Sequence, residues 1–147
     1  MNPQPVLMAD DDEDDCLLAK KAWEKAKVGN PLRFVHDGQE LLDYLRHKGK
    51  YSDPASAPRP AVILLDLNMP RMDGRTALKH IKEDKELRSI PVIVMTTSKA
   101  EEDVVRTYDL GVNSFVTKPL TFDQLVQNIN TMMEYWLVLV RIPKSDQ

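Results

Sequence analysis

Carboxylates raise the first question. Residues 8–15 read MADDDEDD, six consecutive acids behind a short apolar run. At an effective dielectric of 20, two unit charges 4 Å apart repel by about 4 kcal/mol. Either these acids sit in water, or something cationic sits among them. Other chemistry-bearing residues close further apolar runs. Asp66 ends AVILLD, Thr96 and Thr97 end PVIVMTT, and Lys118 follows SFVT and precedes Pro119. If the fold gathered Asp10, Asp11 and Asp66, their repulsion would favour a divalent cation or a raised pKa. A few oxygen ligands on short side chains suit Mg²⁺ with several waters retained. Lys118 would add a second positive charge.

The elements that must position these residues follow a rhythm. Short apolar runs alternate with stretches of helical period. Val6–Ala9 and Leu32–Val35 read as strands, and residues 61–66, 91–96 and 114–117 as three more. The runs at 61–66 and 91–96 are apolar without alternation, as expected of parallel strands covered on both faces. Helices are expected over Asp14–Lys27, with Leu18, Ala22 and Ala26 inward, and from Asp37 to Gly49, with Leu41, Leu42 and Leu45 inward. Gly29 is the expected left-handed closure of the first. A third helix spans Gly74–Asp84 with Ala77, Leu78 and Ile81 inward. Capping-box spacings at Asp37/Glu40, Ser98/Glu101 and Thr121/Gln124 mark helix starts. Val104, Val105 and Tyr108 face inward from the fourth helix, and Leu125, Ile129, Met132, Met133 and Trp136 from the last. Residues 50–60, with three prolines, read as a surface loop. Five β–α units predict a doubly wound α/β sandwich with a parallel sheet in the middle layer. Ligands of such sheets lie beyond the carboxyl ends of the strands, where the acids, threonines and lysine fall.

Composition narrows the function classes. The chain has 147 residues, a formal charge of −3 and one cysteine, Cys16. That length suits one domain. The charge gives no basic footprint for nucleic acid. A single cysteine allows no internal disulfide and points to a reducing, cytoplasmic home. The N-terminus is not of signal-peptide type, and no stretch approaches the roughly 20 apolar residues of a membrane span.

Four motifs, in order and each at its strand end, resemble the receiver domain of two-component response regulators: DD, LLDLNMPRMDG, VMTTS and VTKP. The resemblance covers about residues 5–137 and implies the flavodoxin-like strand order 2-1-3-4-5, which the chemotaxis response regulator shares. It implies one receiver domain over 1–147, with a short extension at 138–147 and no output domain. It implies that Asp66 accepts a phosphoryl group from a sensor histidine kinase. Asp11, Asp66 and the Asn68 carbonyl would hold Mg²⁺, with Asp10 acting through a metal-bound water. Lys118 would pair with the phosphoryl oxygens, and Thr96 and Phe115 would move together as the switch. The lysine would be aimed by a cis bond to Pro119. The 50–60 loop, the TTS triplet and EYWLVLVRIP are similar to single-domain regulators paired with cyanobacterial and other bacterial phytochrome kinases.

Plainer readings stand beside these. Asp12, Glu13, Asp14 and Asp15 suit a solvated helix start, where acids favour the dipole. An EF-hand fails, because Asp15 and Lys21 replace the glycine and glutamate it needs. His36, His47 and His80 lack metal-ligand spacing and read as surface. Thr97 stands where the family often has alanine or glycine, so slow self-dephosphorylation is expected. A dehalogenase-type phosphohydrolase would need an acid two residues after the nucleophile, where this chain has Asn68. A pseudo-receiver that binds partners without phosphate is the third class, and the full acid–threonine–lysine set argues against it. The run YWLVLV at 135–140 is apolar on every side. It either packs across the domain or forms a homodimer interface, the latter being the expectation. Output would pass to a downstream protein through the fourth helix, fifth strand and last helix.

Overall fold

The apolar runs at Val6–Ala9 and Val62–Asp66 form central strands because helices cover both of their faces. The structure, a computed structural model, describes residues 4–67, 69, 71–96, 114–117 and 121–134, without the side chains of Thr96 and residues 114–117. The strands are β1 (Val6–Ala9), β2 (Leu32–Val35), β3 (Val62–Asp66), β4 (Val92–Thr96) and β5 (Ser114–Thr117). The helices are α1 (Glu13–Ala26), α2 (Gly38–Arg46), α3 (Gly74–Glu83) and a last helix, Phe122–Met133. All the strand pairings are parallel, in the order β2-β1-β3-β4-β5. This is the expected doubly wound, flavodoxin-like α/β sheet.

The period of two along each strand sorts side chains into two cores. Leu7, Ala9, Ile63, Leu65, Val92 and Val94 face α2 and α3, where Leu41, Leu42, Leu45, Ala77, Leu78 and Ile81 meet them. Val6, Met8, Val62, Leu64, Ile93 and Met95 face α1 and the last helix, where Ala22, Trp23, Ile129 and Met133 meet them. β1 and β3 are buried along nearly their whole length. The edge strand β2 is half-buried except at Val35. The apolar face of α1 is made by Ala19, Ala22, Trp23 and the partly buried Ala26, whereas Leu18, expected inward, is half-buried and joins neither core.

Several helix ends depart from the sequence reading. α1 starts one residue earlier, at Glu13, because the Asp12 side chain caps it, accepting from the N–H groups of Asp14 and Asp15 at 2.8 and 3.1 Å. Its left-handed closing residue is Lys27 (φ 57°), whose N–H bonds the Glu24 carbonyl; Gly29 plays no such part. α2 is closed by left-handed His47 (φ 56°), and Gly49 opens the next turn instead of ending the helix. The Asp37 side chain caps α2 through the Glu40 N–H at 2.7 Å, but Glu40 reaches back to the His36 N–H at 2.8 Å, one residue beyond a capping box. At Thr121 and Gln124 the reciprocal pair is complete. The fourth helix expected near Ser98, Glu101, Val104, Val105 and Tyr108 lies outside the described residues, as does Trp136.

The 50–60 stretch is more ordered than a plain loop. It forms two short 3₁₀ turns, Gly49–Tyr51 and Pro54–Ser56. Tyr51 Oη donates to Glu40 at 2.6 Å, Tyr44 Oη to the Pro58 carbonyl at 2.8 Å, and Arg33 to the Ser56 carbonyl at 2.9 Å. His47 Nε2 lies 2.8 Å from the Ala57 carbonyl, so this histidine is half-buried where the sequence suggested a surface residue.

Candidate functional site

Parallel register brings the candidate residues to one edge. Ala9 pairs with Leu65, so Asp10 and Asp66 are the next residues along β1 and β3. Asp66 pairs with Met95, and Thr96 with Thr117, the residue before Lys118. Residues more than a hundred positions apart in sequence are thereby set along the carboxyl ends of four adjacent strands.

Asp10, Asp11 and Asp66 each place a carboxylate oxygen within 4.8 Å of the others. Asp10 is fully buried, Asp11 exposed and Asp66 half-buried. The chain organises this cluster locally. The Asp10 N–H donates to the Val35 carbonyl at 3.0 Å, and Asp10 Oδ1 accepts the Asp12 N–H at 2.9 Å. Asp12 turns the chain into α1, and Glu13, Asp14 and Asp15 follow in its first turn, where the helix dipole favours acids. The six acids therefore divide, two to the cluster and four to the helix start. Cys16 Sγ lies 3.5 Å from the Asp10 carbonyl, a packing contact that gives the thiol a partner.

A buried carboxylate beside two others is costly unless paired or metal-bound. Three hard oxygen donors on short side chains, open to water on the Asp11 side, fit a small divalent cation that keeps part of its hydration shell. Of the remaining expected site residues, the backbone of Thr96 is at this edge, while that of Phe115 lies two residues before the end of β5, opposite Val94. Asn68, Thr97, Lys118 and Pro119 lie outside the described residues.

Sequence reading missed the residues that hold the Asp66 loop. Gly74 opens α3 directly beneath Asp66: its N–H donates to the Leu67 carbonyl at 2.9 Å, and a Cβ there would stand 2.6 Å from Leu67 Cα. Gly38, at the start of α2, donates to the Met72 carbonyl at 2.9 Å, and its Cβ would stand 2.8 Å from Met72 Cβ. Arg71 Nε donates to Asp37 Oδ2 at 2.9 Å, and its Nη2 contacts the same oxygen. The MDG triplet of the β3–α3 segment is the only signal that pointed toward these contacts.

A cavity of about 170 Å³ lies elsewhere, at the amino ends of the strands, between α2, Ala57–Pro60 and Glu86–Ile90. Its cations are engaged: Arg59 bonds Ser89 and the Glu86 carbonyl, and Arg46 stands 3.9 Å from Asp84. The carboxylate edge, not this cavity, carries the site. Among the described residues, no helix is long and apolar enough to cross a membrane.

Comparison with known proteins gives the family. The family profile described as the response regulator receiver domain matches residues 6–130. Response regulator Rcp1 of Synechocystis is 35% identical over 143 residues, covering 97% of this chain and 95% of its own. A crystal structure of Rcp1 in its Mn²⁺-bound form aligns with a TM-score of 0.79 at 34% identity, covering 92% of this chain and 96% of that one. Response regulator RPA3017, in red light signaling of R. palustris, aligns with a TM-score of 0.84 at 34% identity, over 92% of this chain and 95% of its own. The phosphorylated cyanobacterial phytochrome response regulator RcpA aligns with a TM-score of 0.80 at 39% identity and the same coverage. With strand order, carboxylate edge and a match over most of its length in agreement, the chain belongs to the response regulator receiver domain family and is a response regulator of the two-component phosphorelay.

Proposed function

We propose that Asp66 is the phosphoacceptor, taking its phosphoryl group from a phosphohistidine of a sensor histidine kinase. A carboxylate oxygen of Asp66 attacks phosphorus, an O–P bond forms, and the P–N bond breaks with its electron pair returning to the imidazole. The observation that carries this reading is the gathering of Asp10, Asp11 and Asp66 within 4.8 Å at the strand ends. Phosphoryl transfer needs mainly positioning and charge neutralisation, and strand ends provide rigid positions. Asp66 is held by the sheet on one side and by Gly74 on the other, and the Asp12 N–H fixes the buried Asp10 carboxylate. Mg²⁺, held by Asp11, Asp66 and the Asn68 carbonyl, with Asp10 acting through water, would neutralise the phosphoryl oxygens. The hard donor set favours Mg²⁺ over softer metals, and the Mn²⁺-bound form of Rcp1 supports divalent binding. Lys118 pairs with the phosphoryl oxygens, and Thr96 and Phe115 form the switch that reports them.

The protein acts as a phosphoacceptor switch with weak self-dephosphorylation, not as an enzyme turning over a substrate. Its receiver domain spans the chain, with core residues 5–137 and an extension at 138–147. The kinase partner is a phytochrome, a reading supported by the descriptions of RcpA and RPA3017. Homodimerisation runs through the C-terminal helix region, and output passes by protein contact to a downstream target.

Brief exposure to acetyl phosphate with Mg²⁺, followed by intact mass, separates this reading from the other two. A single stable phosphoryl adduct is expected. Continuous release of phosphate without an adduct would make the chain a phosphohydrolase. Neither adduct nor release would make it a phosphate-independent binding module.

A further inference from the structure

Arg71 is the anomaly of the phosphoacceptor loop. It is a long-chain L-residue with a left-handed backbone (φ 63°), in the segment that leaves Asp66 for α3. Such a conformation persists only where the surroundings over-determine it. They do so here. The guanidinium of Arg71, itself largely exposed, reaches Asp37, whose side chain is 2% exposed. Asp37 has two tasks: Oδ1 caps α2 through the Glu40 N–H, while Oδ2 receives Arg71. One residue on, the Gly38 N–H holds the Met72 carbonyl in a contact with no room for a side chain. The far end of the segment is fixed by Gly74 on Leu67. Leu67, Arg71 and Met72 are thus each tied to a neighbouring element, and among the described residues of this segment Arg71 supplies the one charged tie.

We propose that Arg71 is a positioning residue for the phosphoryl-transfer site: its ion pair with buried Asp37 latches the segment after Asp66 to the start of α2, and so sets the cation-binding geometry at Asp66. The inference rests on the site reading above. A charged partner suits the task better than an apolar contact. An unpaired buried carboxylate is strongly disfavoured, so the open state of the latch is scarcely populated. The fork of arginine also fixes direction, which a lysine ammonium does not.

The test uses the full chain and Mg²⁺ alone, followed by amide NMR or calorimetry, with thermal stability measured alongside. Arg71→Gln and Asp37→Asn are each expected to weaken Mg²⁺ binding about tenfold, within the range seen for mutations outside a ligand set. The double variant should bind no more weakly than either single one, because one tie has been cut twice. Arg71→Lys, which keeps the charge but loses the fork, should bind Mg²⁺ more weakly than the parent and more tightly than Arg71→Gln, and should Arg71→Gln not fold, its loss of affinity at unchanged stability carries the test. A merely structural role would lower stability in the variants and leave Mg²⁺ affinity unchanged. That result, or full additivity in the double variant, would overturn the latch. Acetyl phosphate labelling of the parent judges the site reading separately: a parent that binds Mg²⁺ but takes no phosphoryl group would sink that reading while the variants still decide the latch.

Discussion

Asp10 and Asp11 are neighbours in the chain but differ in surroundings. Asp10 is fully buried and bonded to a backbone N–H, whereas Asp11 is exposed. Their pairing with Asp66 was legible in the sequence because each closes an apolar run, and parallel sheets align the ends of such runs. The Asp37–Arg71 pair was not legible. Its members are separated by 34 positions and belong to no periodic pattern, so only the three-dimensional course of the segment after Asp66 brings them together. Gly74 was equally silent, since a glycine at a helix start commonly means nothing more than a turn. Its meaning is steric. Gly74→Ala forces a Cβ against the backbone of Asp66 and Leu67 and should destabilise the fold by about 1–3 kcal/mol, the usual cost of overpacking. Urea unfolding measures this, and an unchanged midpoint would show that the backbone yields freely.

At the scale of elements, strands and buried helix faces followed from the sequence pattern, whereas helix ends did not. Gly29 and Gly49 looked like closures, but Lys27 and His47 take the left-handed position. The buried face of each helix and the course of the next strand decide where the chain must turn, and a glycine two residues late cannot serve. A left-handed L-residue costs roughly 1–2 kcal/mol, so Lys27→Gly should raise stability by up to about 1 kcal/mol in urea unfolding. No gain would mean that the Lys27 side chain contributes a compensating contact. The 49–60 excursion is tied to α2 by an acid that titrates. Burial pushes the Glu40 carboxyl upward, but the Tyr51 hydroxyl, Lys50 and the His36 N–H outweigh it and hold the pKa below its ordinary 4.5. Burial and then Glu40 push the Tyr51 phenol well above its ordinary value, so it remains the donor. A folded-state pKa below the unfolded one gives stability that is complete above pH 4.5 and disappears as pH falls through the folded value. Tyr51→Phe should therefore reduce the stability lost between pH 5 and pH 3, read as thermal midpoint against pH. An identical acid profile in parent and variant would remove Glu40 as the cause.

The described residues form a sheet with a core on each face and an acidic cluster at the carboxyl ends of its strands. Both cores follow from alternation along the strands, which explains why the fold was readable in outline from local patterns. Assembly is a different matter, because it depends on residues 135–140, which lie outside the described residues. Their all-round apolar character predicts that a chain cut after Glu134 sediments as a monomer while the full chain self-associates. Equal self-association of the two would place the interface elsewhere. In the proposed function, signalling depends on one bond, the acyl phosphate at Asp66. The most direct measurement labels the parent and Asp66→Asn chains with acetyl phosphate and Mg²⁺, then locates the phosphoryl group by peptide mass spectrometry. A single group on the peptide that holds Asp66, absent after chelation and absent from Asp66→Asn, is the predicted result. Equal labelling of Asp66→Asn and the parent would contradict it.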